Sequence, residues 1–142
     1  MREIEASLDE LDLVVEYLNS IFSSDIIIFL RGDLASGKTT LTKAIAKDKG
    51  VKSEVTSPTF SLQHCYQDGF YHYDLYRLEY DEFMDLGLFE EFEKSGWHLV
   101  EWGSDRLKEF LEGVGYNVAT IDITNSPNSR VYRIKNNAYT RS

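Results

Sequence analysis

Eight consecutive residues, Gly32-Asp33-Leu34-Ala35-Ser36-Gly37-Lys38-Thr39, set two glycines, a lysine and a hydroxyl in the spacing G-x-x-x-x-G-K-T. Each fixed position has a chemical reason. A loop that folds back on itself turns successive backbone N–H groups inward and makes a nest for anionic oxygens. Glycine at Gly32 and Gly37 accepts the dihedrals this needs and keeps a β-carbon out of the anion's way. A helix opening at Lys38 aims free N–H groups and the positive end of its dipole at the same anion. Lys38 supplies a point charge for β- and γ-phosphates, and the Thr39 hydroxyl is a ligand for magnesium. With Thr40 following directly, the segment predicts binding of a nucleoside triphosphate together with Mg²⁺.

Such a site needs a second acidic oxygen for the metal, normally at the end of a buried strand. Glu101 ends the apolar run through Leu99 and Val100. Its carboxylate suits a hard cation that takes one or two protein ligands and keeps several waters. The plainer alternative is a strand-end glutamate facing solvent. Asp74, in His72-Tyr73-Asp74-Leu75-Tyr76-Arg77, is the other candidate. It would hold a metal-bound water or orient the attacking water; the alternative is a surface pair with Arg77 or a helix cap. The hydroxyls of Thr56-Ser57-Pro58-Thr59-Phe60 suit a switch loop that senses the γ-phosphate, and a plain turn is the alternative. His64, Cys65, His72 and His98 fall on separate segments and make no zinc spacing. His72 reads as flanking the site, the others as structural.

The elements that must position these groups are legible in the patterning. Ile26 to Leu30 is short, continuous and β-branched, as a strand buried on both faces would be. A helix from Lys38 to Lys49 stops at Gly50. Ser7-Leu8-Asp9-Glu10 is a capping box, and apolar residues at helical spacing carry a helix from Leu8 to Phe22. Ser61–Tyr66 and Phe70–Asp74 flank an Asp-Gly turn and predict a hairpin. Tyr80 to Phe92 predicts one or two short helices, Trp97 to Trp102 a second buried strand, and Asp105 to Leu111 a helix. Val118–Thr124 and Val131–Ile134 pair across a turn at 125–128. Alternating strands and helices predict an α/β layered fold, with a mostly parallel central sheet flanked by helices and antiparallel hairpin elements added.

The 142 residues predict a single domain over 1–142, with 136–142 as a tail. The net charge of −9 disfavours autonomous binding to a polyanion. Glu79 to Glu93 is uniformly acidic, either a solvated surface or a docking face for a basic partner. No apolar run approaches the ~18 residues of a membrane span. The N-terminus lacks a signal-like apolar stretch, and a lone cysteine, Cys65, favours a reducing compartment. A cytoplasmic protein with no membrane association is expected.

Four motifs in order, Gly32-Asp33-Leu34-x-x-Gly37-Lys38-Thr39-Thr40, Ser57-Pro58-Thr59-Phe60, His72-x-Asp74-Leu75-Tyr76-Arg77-Leu78 and Val100-Glu101-Trp102, resemble the TsaE (YjeE) family of small bacterial ATPases. The resemblance runs from the N-terminal helix to about Lys135. It implies a P-loop NTPase-like fold that binds ATP and Mg²⁺. It implies work with TsaB and TsaD homologues, the complex that transfers a threonylcarbamoyl group to adenosine 37 of ANN-decoding tRNAs, so that tRNA is met only through the complex. By position it gives Lys38 the phosphates, Thr39 and Glu101 the magnesium, Asp74 an essential acidic role and Thr59 the switch. The loop residues Asp33, Leu34, Ala35, Ser36, Gly37 and Thr40 line the nucleotide. Arg130 falls where the family has a nucleotide-contacting arginine, and Ser7 and Leu8 lie near the adenine. The family usually has Gly-Ala at Ala35-Ser36, so the loop here is more constrained. Three rivals stay open: a small-molecule kinase, a GTPase, and a non-enzymatic module that uses the nucleotide as a switch.

Overall fold

The structure is a computed structural model that describes residues 1–33, 36–51, 63–67, 69–76 and 78–136. Leu34, Ala35, the Thr56–Phe60 segment with Thr59, Arg77 and the last six residues lie outside the described residues.

Seven strands form one sheet: β1 (Arg2–Ala6), β2 (Ile26–Arg31), β3 (Gln63–Gln67), β4 (Phe70–Asp74), β5 (Trp97–Glu101), β6 (Val118–Ser126) and β7 (Ser129–Asn136). Their spatial order is β1-β7-β6-β2-β5-β4-β3. The centre, β6-β2-β5-β4, is wholly parallel. Antiparallel pairs close both sides, β1 and β6 against β7, and β3 against β4.

Parallel strands need crossovers, and the helices that make them cover both faces. Helices α1 (Leu11–Ile21) and α2 (Lys38–Asp48) pack Val14, Leu18, Leu41 and Ile45 against Ile26, Ile28 and Leu30. Helices α3 (Tyr80–Asp85) and α4 (Asp105–Val114) pack Phe83, Leu107 and Leu111 against Ile27, Phe29 and Val100 on the other face. This explains the unbroken apolar run of β2. Its successive side chains alternate between two buried layers, so neither parity is free to be polar.

Several boundaries differ from the patterning. The first helix opens with a 3₁₀ turn over Leu8–Glu10, and Leu8 is 68% exposed although its spacing placed it on the apolar stripe. Arg2–Ala6, which carried no expected element, is edge strand β1. Only Ala6 of that strand is buried, so its pattern held little apolar signal. Asn136 is the last residue of β7 rather than the first of a tail. The hairpin is present as β3–β4, but β4 also pairs in parallel with β5 and buries Phe70 through Tyr73. No helix among the described residues is long and apolar enough to cross a membrane.

The register matters for the site. Leu30, Glu101 and Asp74 are aligned neighbours at the carboxyl ends of β2, β5 and β4. In open α/β sheets that edge is where ligands bind.

Candidate functional site

The loop after β2 is shaped by glycine. Gly37 has φ 101° and caps α2, and Gly32 has φ 154°. A β-carbon on Gly32 would collide with Ser36 Oγ and lie 2.7 Å from the Ile123 carbonyl. The loop is drawn closed by the Ser36 N–H, which donates to the Asp33 carbonyl at 2.9 Å. Lys38, the first residue of α2, is only 4% exposed. Its Nζ donates to the carbonyls of Gly32 at 2.6 Å and Asp33 at 3.1 Å. It also lies 4.0 Å from the centroid of the Trp102 ring. Burial pushes the ammonium below its ordinary pKa, while Glu101, Asp33 and Asp74 pull against that shift.

Glu101 is 3% exposed at the end of β5. Its Oε2 accepts from Thr39 Oγ1 at 3.4 Å and from His72 Nε2 at 2.5 Å. The glutamate therefore does not face solvent. His72 and Asp74 are two apart on β4, so both project toward α2 on the face that carries Glu101. Asp74 Oδ1 accepts the Tyr76 N–H at 3.0 Å, which turns the chain immediately after β4. Trp102, directly after Glu101, has φ 62°, the one non-glycine positive φ among the described residues. Its ring takes the edge of Tyr76 at 4.8 Å. A left-handed conformation at a bulky residue costs about 1–2 kcal/mol, and here it carries the indole onto Lys38.

Arg130, at the start of β7, reaches the loop from the other side. Its guanidinium lies where a β-carbon on Gly37 would go, and its Nε donates to Asn125 Oδ1 at 3.3 Å. Beside it opens a cavity of about 280 Å³ lined by Ala6, Leu8, Asn125, Arg130 and Tyr132. Leu8 thus faces the region expected for the base. The Ser7 hydroxyl instead donates to Glu10 Oε1 at 2.9 Å, and the Ser7 N–H donates to the same oxygen at 3.0 Å.

The residues fit the groups the motif implies. Lys38, the first residue of α2, puts a cation at the helix N-terminus, where the opening N–H groups have no partner within the helix. Thr39 Oγ1 and the Glu101 carboxylate are adjacent hard oxygens. Among the described residues no group of three or more His, Cys, Asp or Glu could hold a metal alone. Magnesium does not need one, because water and phosphate complete its shell. The sequence reading brought Lys38, Thr39, Glu101, Asp74 and Arg130 toward one edge. It missed the direct contact of His72 with Glu101 and the packing of Trp102 on Lys38. Strand parity on β4 was the available signal for His72; nothing local announces Trp102.

A parallel-centred sheet, helices on both faces and a glycine loop feeding α2 define a P-loop NTPase-like protein. The family model described as threonylcarbamoyl adenosine biosynthesis protein TsaE matches residues 5–134, and the chain belongs to the TsaE family. The tRNA threonylcarbamoyladenosine biosynthesis protein TsaE of Bacillus subtilis is 49% identical over 79 residues, covering 54% of this chain and 49% of that protein. Its counterpart in Treponema pallidum is 38% identical over 89 residues, covering 61% of this chain and 66% of that protein. The match thus spans about half to two thirds of the length of these relatives. The crystal structure of Bacillus subtilis YdiB superposes with a TM-score of 0.68 at 27% identity, over 95% of this chain and 86% of that one.

Proposed function

We propose that this chain is a Mg²⁺-dependent ATP hydrolase that supports threonylcarbamoylation of adenosine 37 in ANN-decoding tRNAs by acting on a complex of TsaB and TsaD homologues in the cytoplasm. The observation that carries the reading is the convergence of Lys38, Thr39 and buried Glu101 beneath one glycine loop at the carboxyl edge of the sheet.

In this reading Lys38 exchanges the Gly32 and Asp33 carbonyls for the β- and γ-phosphate oxygens. The N–H groups opening α2 receive the same charge. Thr39 and Glu101 hold the magnesium ion, which when bound neutralises charge on the phosphate oxygens. Asp74, in register with Glu101, orients the attacking water together with the switch residue Thr59. Arg130 and Leu8 bracket the nucleotide from the β7 side. The finger-like cation that accelerates such reactions by ~10³–10⁵ comes from the partner or from Arg77.

A kinase would need a lid bearing several arginines, and Arg77 is the only arginine between Gly69 and Trp97. A GTPase would read guanine through an N-K-x-D element, and the chain has none. Phosphate release measured with ATP and with GTP, with and without TsaB–TsaD, tests the proposal. Slow ATP turnover that rises with the partners is expected. Equal rates with and without them defeat the partner role, and no turnover under either condition leaves a binding switch. Charge reversal in the Glu79–Glu93 block, which forms α3 and the 3₁₀ turn Leu88–Glu93, should weaken assembly if that surface docks the complex.

A further inference from the structure

We propose that His72 is a positioning residue for the magnesium site: its imidazole fixes the Glu101 carboxylate in the orientation that Thr39 and the cation require. The inference rests on the reading of Glu101 as the metal-binding carboxylate and goes one shell beyond it.

The geometry is specific. His72 pairs with Leu99 in the β4–β5 register, one pleat below the Asp74–Glu101 pair. From there the ring reaches along the strand to Glu101 Oε2, at 2.5 Å. The contact is dry, with the His72 side chain 0% and the Glu101 side chain 4% exposed. The carboxylate accepts, so Nε2 donates. The same oxygen faces Thr39 Oγ1 at 3.4 Å, and so His72 sets where the carboxylate stands relative to the hydroxyl.

The need for such a residue follows from the choice of glutamate. Glutamate has one more rotatable bond than aspartate, and Mg²⁺ demands near-ideal octahedral geometry. A carboxylate free to swing would meet the ion in several orientations. A donor from the neighbouring strand leaves one. Removing such an outer partner typically lowers metal affinity ~10–100-fold. A purely structural role for His72, solvating a buried acid, would instead lower fold stability and nucleotide binding together.

Binding of a fluorescent, non-hydrolysable ATP analogue separates these. It is measured in EDTA and across a Mg²⁺ titration, for the wild type, His72→Leu and His72→Gln. Glutamine carries an amide N–H about as far from the backbone as Nε2. His72→Leu should keep the EDTA affinity and move the Mg²⁺ midpoint upward by ~10–100-fold. His72→Gln should return the midpoint to within a few-fold of wild type. An unmoved midpoint in His72→Leu, or EDTA and Mg²⁺ affinities that fall in parallel, overturns the inference. Should the leucine variant not fold, His72→Asn, whose amide is one bond short, replaces it. Asn and Gln variants with equal midpoints then overturn the inference. A wild type whose nucleotide binding ignores Mg²⁺ would instead overturn the reading of Glu101 itself.

Discussion

The guanidinium of Arg130 packs against the α-carbon of Gly37, so closely that a β-carbon there would sit 2.6 Å from Arg130 Cζ. The contact joins the first residue pairs of β7 to the cap of α2, two elements far apart in the chain. It places a cation beside the N-terminus of α2. Glycine at position 37 is needed twice, for its left-handed φ and for this approach.

Arg130→Ala should therefore weaken ATP-analogue binding by more than its modest loss of fold stability explains. A charge-assisted hydrogen bond is worth about 1.5–3 kcal/mol, or roughly 10–100-fold in affinity. The Arg130 side chain is partly buried and hydrogen-bonds Asn125 Oδ1 and the core residue Tyr132, so some fold stability is lost with it. Binding that stays at the wild-type level would remove Arg130 from the nucleotide site.

Ser36 Oγ is buried, with no hydrogen-bond partner among the described residues. An unsatisfied buried hydroxyl costs about 1–3 kcal/mol. Ser36→Ala deletes the hydroxyl without changing the backbone, so urea denaturation should show a gain of about 1 kcal/mol or more. A loss of stability would mean that the hydroxyl makes a bond worth keeping.

Burial holds the Lys38 pKa below the ordinary 10.5. Across the window from that lowered value up to 10.5, the unfolded chain binds more protons at this position than the folded one. Stability from Lys38 accordingly rises as pH climbs through the window. Lys38→Met should abolish ATP-analogue binding and flatten this alkaline rise in a comparison of denaturation curves. Lys49, whose pKa burial also lowers, is common to both proteins and cancels. Parallel pH curves for the two proteins would show that Lys38 is not held in a desolvated place.

His98 bridges β5 to the core of the second face. Its Nε2–H donates to the Lys94 carbonyl at 2.7 Å and its Nδ1 accepts from the Tyr73 hydroxyl at 2.6 Å. Both nitrogens are used by the neutral ring, which stacks on Tyr71 at 4.5 Å. Burial keeps its pKa below 6.5, partly offset by the Lys94 carbonyl and by Glu91 and Asp25. The stability this supplies is complete above 6.5 and is lost as pH falls below it toward the folded value. His98→Asn keeps an acceptor for Tyr73. It should be less stable at neutral pH, by about 1–3 kcal/mol for the lost bond and packing, yet show less acid sensitivity. An unchanged acid profile would shift the cause to other groups.

Local rules determined much of this protein. The glycine spacing, the β-branched run before it and the helix after it are readable because each is dictated by neighbours within a few residues. The Ser7–Glu10 box and the β6–β7 hairpin are of the same kind. Tertiary structure alone decided which side chains meet. His72 touches Glu101 only because β4 lies beside β5 in one particular parallel register. Trp102 reaches Lys38 only because the chain turns left-handed after β5, and Arg130 reaches Gly37 only because β7 returns beside β6. Those contacts join residues tens of positions apart, and strand order, which no local pattern encodes, sets them.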